Sequence, residues 1–112
     1  MDIKLSKENK SYAIKIKAEE NGAMLGSAYL YIMYNDLHEE PFGFLENVFV
    51  KEGNRGKGTG TKLVEAAIAE AKEKNCYKLI CTSRYKNFEA HVWYEKLGFK
   101  DHGKEFRIDF NK

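Results

Sequence analysis

The segment Arg55-Gly56-Lys57-Gly58-Thr59-Gly60-Thr61 concentrates the residues whose types and spacing point to chemistry. Glycines crowded at the start of a helix let the backbone approach a ligand closely. The unpaired N–H groups and positive dipole end of a helix amino terminus favour an anion there. Arg55 and Lys57 add positive charge at the same place. Spacing decides which anion is meant. A Walker-type phosphate loop requires Ser or Thr directly after its lysine, and Lys57 is followed by Gly58. The dinucleotide fingerprint requires G-x-G-x-x-G, and this loop has G-x-G-x-G after several antiparallel strands. A mobile glycine loop without a ligand remains the plain alternative.

The loop must be held by the elements around it. Tyr12, Ile14, Ile16 and Ala18 alternate with Ala13, Lys15 and Lys17, which predicts a strand with one solvated face. Asn21-Gly22 predicts a tight turn into an antiparallel strand over Met24 to Tyr34. The polar stretch 35–41, ending at Pro41, reads as a loop, and Phe42 to Val50 as the strand that feeds the glycines. Leu63, Val64, Ala67, Ile68 and Ala71 recur at helical spacing, predicting a helix that begins near Gly58–Gly60 and ends near Asn75. A buried strand over Tyr77 to Thr82 follows, then a helix from Phe88 to Leu97 stopped by Gly98. The alternation of Phe106, Ile108 and Phe110 predicts a closing strand, and residues 2–5 a short edge strand. Strand 42–50, the helix and strand 77–82 can form one βαβ unit within a mixed α/β sheet carrying helices on its faces.

Composition limits the function classes. The 112 residues predict a single domain over 1–112. A hydrophobic fraction of 43% with 32% charged residues is ordinary globular usage. Nineteen Lys and Arg against seventeen Asp and Glu leave a formal charge of +2, too little to imply nucleic acid or an anionic membrane surface. No apolar run approaches the ~20 residues of a membrane span. The stretch Met1–Glu8 has no long apolar region, so no secretory signal is expected. Cys76 and Cys81 are expected to be reduced thiols in a cytoplasmic protein, and no histidine joins them at metal spacing, so no metal is expected.

Two blocks resemble one family. Arg55-Gly56-Lys57-Gly58-Thr59-Gly60 is similar to the R-x-x-G-x-G/A pyrophosphate loop of the GNAT superfamily of acetyl-CoA-dependent N-acetyltransferases, and Ala90-His91-Val92-Trp93-Tyr94-Glu95-Lys96-Leu97-Gly98-Phe99 resembles that family's A-x-x-(F/W)-Y-E-K-L-G-F segment. Phe44-Leu45-Glu46-Asn47-Val48-Phe49-Val50 is similar to the strand that precedes the loop in many members. The resemblance covers roughly residues 42–110. It implies a mostly antiparallel sheet with a central parallel βαβ pair splayed to hold CoA, and transfer of the acetyl group of acetyl-CoA to a primary amine by direct attack.

Carried onto this chain, the resemblance implies that backbone groups of Val48, Phe49 and Val50 bond the pantetheine arm, with the Val48 N–H polarising the acetyl carbonyl. Arg55, Gly56, Lys57, Gly58, Thr59, Gly60 and Thr61 would hold the pyrophosphate. Asn87 would bond the pantetheine, and from the sequence alone it is equally a helix N-cap. Tyr94 would be the general acid that protonates the leaving thiolate, although its spacing with Ala90 and Leu97 also fits a core aromatic. Glu46 would be the base that takes the amine's proton, or else an ordinary charged residue on a partly exposed strand. His91 is read as packing or solvent-facing.

One departure from the family pattern bears on the acceptor. Members place two helices between their first two strands, and Ser6 to Ser11 cannot hold them at 1.5 Å rise per residue. The acceptor side is therefore expected to be reduced. It would be open to a small-molecule, peptide or protein amine, or completed by a second subunit in a homodimer. Asp36, Glu39 and Glu40 could attract a cationic amine. The alternative from another class is a non-catalytic acetyl-CoA-binding sensor or scaffold.

Overall fold

The computed structural model describes residues 1–111. It forms two compact units, one from Met1 to Cys81 and one from Thr82 onward. The first unit is built on three antiparallel strands: β1 (Tyr12–Glu20), β2 (Ala23–Met33) and β3 (Phe42–Val50). Asn21 and Gly22 turn the chain between β1 and β2 with φ of 51° and 81°. Positive φ at both central residues is what a two-residue hairpin matched to strand twist requires. Along β2 the alternate residues Ala28, Leu30 and Ile32 are fully buried. They meet α1 (Thr59–Glu73), whose Leu63, Val64, Ala67 and Ala71 form its buried stripe.

Helix α1 returns the chain to β4 (Leu79–Ile80), which runs parallel to β3. The sheet order among the described residues is β1-β2-β3-β4. This is a mixed α/β fold containing the expected βαβ unit. Asn75 ends the helix in the left-handed region at φ 62°, while Cys76 N–H donates to the Ala71 carbonyl at 2.9 Å and Asn75 N–H to that of Lys72 at 3.0 Å. These two bonds satisfy carbonyls that the helix end would otherwise leave unpaired. No helix among the described residues is long and apolar enough to cross a membrane.

Three expectations about strands are corrected. Residues 2–5 form no strand, and Ile3 and Leu5 are exposed. Two alternating apolar residues bury too little surface to offset the ordering of an edge strand. The chain instead ties down at Ser11, whose Oγ accepts the Tyr34 N–H at 2.9 Å. The strand expected over Tyr77 to Thr82 shrinks to Leu79–Ile80, because pairing ends at Phe44↔Ile80 while β3 runs on to Val50. The closing strand is absent: Phe106, Ile108 and Phe110 are 89%, 79% and 87% exposed. Alternation supplies an apolar face, but a strand also needs a neighbour to take its backbone groups. Consequently β4 is the outermost strand, and the parallel pair lies at one edge of the sheet instead of its middle.

The second unit carries α2 (Phe88–Lys96). The Asn87 side chain accepts the Ala90 N–H at 3.1 Å and caps it. At the other end Gly98 takes φ 108°, its N–H donating to the Glu95 carbonyl at 3.1 Å, and the Phe99 N–H donates to the Tyr94 carbonyl at 3.0 Å. The Leu-Gly-Phe sequence is thus a left-handed helix stop in which Phe99 folds back on Tyr94.

Candidate active site

Strand β3 carries most of the first unit's candidate residues. Beyond Phe44 it has no partner on the β4 side, so its outer backbone groups are open over the stretch that ends at Val50. Its other side stays paired with β2, but the register shifts: Glu46 lies opposite Tyr29 and Phe49 opposite Ser27. Two residues of β3, Asn47 and Val48, therefore face Ala28 alone, which is a β-bulge. Asn47 accommodates it at φ 52°, a conformation that asparagine tolerates better than most residues. Past the bulge, Lys51 N–H donates to the Leu25 carbonyl at 2.8 Å on the β2 side. Backbone direction alternates along a strand, so Phe49 also turns toward β2, and Val48 and Val50 turn to the open side. The bulge thus sets which backbone groups of β3 are free to bond an extended ligand.

The loop after β3 closes tightly on the strand. Arg55 Nε donates to the Val50 carbonyl at 3.1 Å, and Asn54 N–H to the Lys51 carbonyl at 3.0 Å. Gly53, Gly56 and Gly58 have φ of 93°, 78° and 83°, in the left-handed region where other residues are strained. Above Gly56 and Gly58 a β-carbon would meet nothing within 4 Å, so this backbone faces open space. Gly58 occupies the N-cap of α1, with no side-chain cap and no acidic residue in the first turn. The amino end of α1 therefore lacks the carboxylate that commonly satisfies it. Lys57 is exposed beside it. A bare helix start, a left-handed glycine run and two cationic side chains suit a phosphate-bearing ligand.

Glu46 is exposed on β3, on the sheet face turned away from α1. The buried positions Leu30 and Leu45 mark the opposite face. Asn87 and Tyr94 belong to the second unit. Asn87 has the capping geometry that was one of its two expected roles. The half-buried Tyr94 ring is held between Trp93, at 4.9 Å between ring centroids, and Phe99, at 5.4 Å and 74°. His91 is half-buried, with its Nε2 2.8 Å from the Arg84 carbonyl. Val48, Phe49, Val50 and Arg55 are thus brought together directly, and the glycine run 56–60 follows within the same loop and helix start.

Sequence reasoning passed over two residues that shape this region. A β-carbon on Gly26 would lie 2.5 Å from the Phe49 carbonyl oxygen and 3.2 Å from Leu63 Cδ1. Only glycine lets β2 sit this close to the end of β3. The signal was an isolated glycine inside a strand pattern, which marks close backbone approach. Tyr29, opposite Glu46, carried no comparable signal, because its role depends on register.

Comparison with known proteins agrees with this geometry. The family model described as "Acetyltransferase (GNAT) family" matches residues 2–99. A glucosamine 6-phosphate N-acetyltransferase of Trypanosoma brucei brucei is 34% identical over 92 residues, covering 81% of this chain and 60% of that protein. An aminoglycoside N(6')-acetyltransferase type 1 of Acinetobacter haemolyticus is 28% identical, covering 80% of this chain and 64% of the relative. The chain thus spans under two thirds of the length of these curated relatives. Among solved structures, a putative acetyltransferase from Agrobacterium tumefaciens str. C58 superposes with a TM-score of 0.79 at 35% identity, covering 84% of this chain and 66% of that one. A glycine loop set at a helix start after a bulged, half-open strand, matched by a family model over nearly the whole chain, makes this protein a member of the GNAT acetyltransferase family.

Proposed function

We propose that the protein is an N-acetyltransferase that moves the acetyl group of acetyl-CoA to a primary amine by direct attack. The observation that carries this is the bulged, one-sided end of β3 running straight into the left-handed glycine loop at the bare start of α1. Val48 and Val50 would bond the pantetheine arm as an added strand would. Arg55 to Thr61 would take the pyrophosphate, with Gly58, Thr59 and Gly60 offering backbone N–H groups and Lys57 charge. Bound acetyl-CoA supplies an activated thioester. Glu46 would remove the proton that an amine with a pKa near ~10.4 carries at neutral pH. Tyr94 would hold the proton destined for the departing sulfur. The relatives named for glucosamine 6-phosphate and aminoglycosides support a small-molecule amine as acceptor. The proposal includes a two-fold homodimer, supported by the exposed apolar residues Ile3, Leu5, Phe106, Ile108 and Phe110.

A thiol-release assay with acetyl-CoA across a panel of amines tests the activity. Release only when an amine is present is the expected result. Tight acetyl-CoA binding with no release on any amine would replace the enzyme with a cofactor-sensing module. Glu46→Gln is expected to slow turnover by roughly 10²-fold or more near pH 7 and less at high pH, where free amine is abundant. Tyr94→Phe should lower kcat with little change in acetyl-CoA affinity. Unchanged turnover in both variants would remove both assigned roles.

A further inference from the structure

The sheet face turned away from α1 holds more than Glu46. Along β2 the buried residues Ala28, Leu30 and Ile32 turn toward α1, so Tyr29 and Tyr31 turn to the other face, where both are half-buried. The register sets Tyr29 between Glu46 on β3 and Lys15 on β1, and Tyr31 opposite Phe44. The two tyrosine rings are stacked, 6.2 Å between centroids and 19° apart, and the Phe44 ring continues the row at 6.3 Å from Tyr31. Lys15 Nζ lies 5.7 Å from the centre of the Tyr29 ring. Glu46 forms no ion pair among the described residues. A flat aromatic shelf therefore stands beside one free carboxylate, with one ammonium group on its far side.

We infer that Tyr29 and Tyr31 are the acceptor platform and that Tyr29 sets specificity for an amine carried on a sugar ring. A hexosamine has a C–H-rich face that lies flat on an aromatic ring, and a rim of hydroxyl and amino groups for polar partners. With the ring on Tyr29, its amine meets the directly opposed Glu46, since side chains facing each other across a strand pair are in contact range. An anionic substituent on the far rim meets Lys15. A linear amine of the lysine type has no flat face and gains nothing from the shelf. This assignment rests on the acetyltransferase proposal above, because the shelf matters to turnover only when the acceptor reaches Glu46.

The test compares glucosamine, glucosamine 6-phosphate and Nα-acetyl-lysine as acceptors in the thiol-release assay, using the full chain. Tyr29→Ala is expected to lower the kcat/KM ratio of glucosamine to Nα-acetyl-lysine by about ten-fold, mainly through KM, which is the scale of one lost aromatic contact. Tyr29→Phe should restore most of that ratio, because the ring and not the hydroxyl does the stacking. Lys15→Gln should reduce the preference for glucosamine 6-phosphate over glucosamine without changing the ratio of glucosamine to Nα-acetyl-lysine. The inference is overturned if Tyr29→Ala affects all three acceptors equally, or if the wild-type chain prefers the linear amine. If no amine is acetylated, the acetyltransferase proposal fails separately. The platform is then read by saturation-transfer NMR from the aromatic protons to glucosamine 6-phosphate: transfer that is lost in Tyr29→Ala supports it, and no transfer in the wild-type chain overturns it.

Discussion

The two units hold their candidate functional residues by different physical means. In the first, Ala28, Leu30, Ile32, Val64 and Ala67 are fully buried between the sheet and α1, and this packing fixes the bulge in β3 and the helix start that receives the loop. In the second, α2 buries none of its residues. Asn87 and Tyr94 are held there by local devices: an N-cap, a left-handed glycine stop and a ring contact from Phe99. A site built on a packed sheet fails globally when its core is cut. A site built on helix caps fails locally, with little loss elsewhere.

The sharpest test of that contrast is a pair of truncations. Leu30→Ala, at 0% exposed, is expected to cost about 2–5 kcal/mol of unfolding free energy. Val92→Ala, on α2 at 54% exposed, should cost under about 0.5 kcal/mol. Urea denaturation measures both, and comparable losses would erase the difference between the units.

The next effect lies in the glycine loop. Gly58 has φ 83°, so Gly58→Val both strains the backbone and places a side chain where a phosphate would sit. CoA binding should weaken by about ten-fold or more, near 1.4 kcal/mol. Gly22→Ala, also at positive φ but in the β1–β2 turn, serves as control and should leave CoA affinity unchanged. Equal affinity of the Gly58 variant and wild type by calorimetry would take the ligand away from this loop.

A smaller and local effect is expected at Asn87. Asn87→Ala removes the bond to the Ala90 N–H and should cost about 1 kcal/mol, confined to α2. Hydrogen exchange should quicken in the first turn of α2 while the strands of the first unit stay protected. Uniform loss of protection would show that the two units share one cooperative core.

The smallest effect concerns the thiols. Burial pushes Cys81 up to about 11 and Cys76 upward as well, which favours the neutral thiol. A folded pKa above the unfolded value of ~8.5 stabilises the fold fully below that pH, and the contribution is lost as pH rises through about 11. At pH 8 iodoacetamide should label Cys81 roughly a hundred-fold more slowly than the same thiol in the urea-unfolded chain, following thiolate fraction. Equal rates would mean that the burial is not maintained in solution.

How much was legible in the sequence depended on how local the cause was. The Asn21-Gly22 turn, the α1 stripe, the Asn87 cap and the Gly98 stop were readable because each depends on residues within one turn or hairpin. The glycine loop was readable because repeated glycine beside Arg55 and Lys57 has few other uses. The bulge at Asn47 and Val48, the close approach at Gly26 and the pairing of Tyr29 with Glu46 were not readable. Each depends on the register between strands far apart in the chain, which the whole sheet sets at once.

The failures follow the same division. Phe106, Ile108 and Phe110 have the alternation of a strand, and Ile3 and Leu5 have its beginning, yet neither segment becomes one. The sequence alone determined the propensities, the caps, the turn and an anion-suited loop, because these are settled by neighbouring residues. The tertiary structure alone decided which segments found a partner strand, where pairing of β3 with β4 stopped, and which side chain faced Glu46. Backbone pairing between distant segments has no counterpart in the pattern of either segment taken singly.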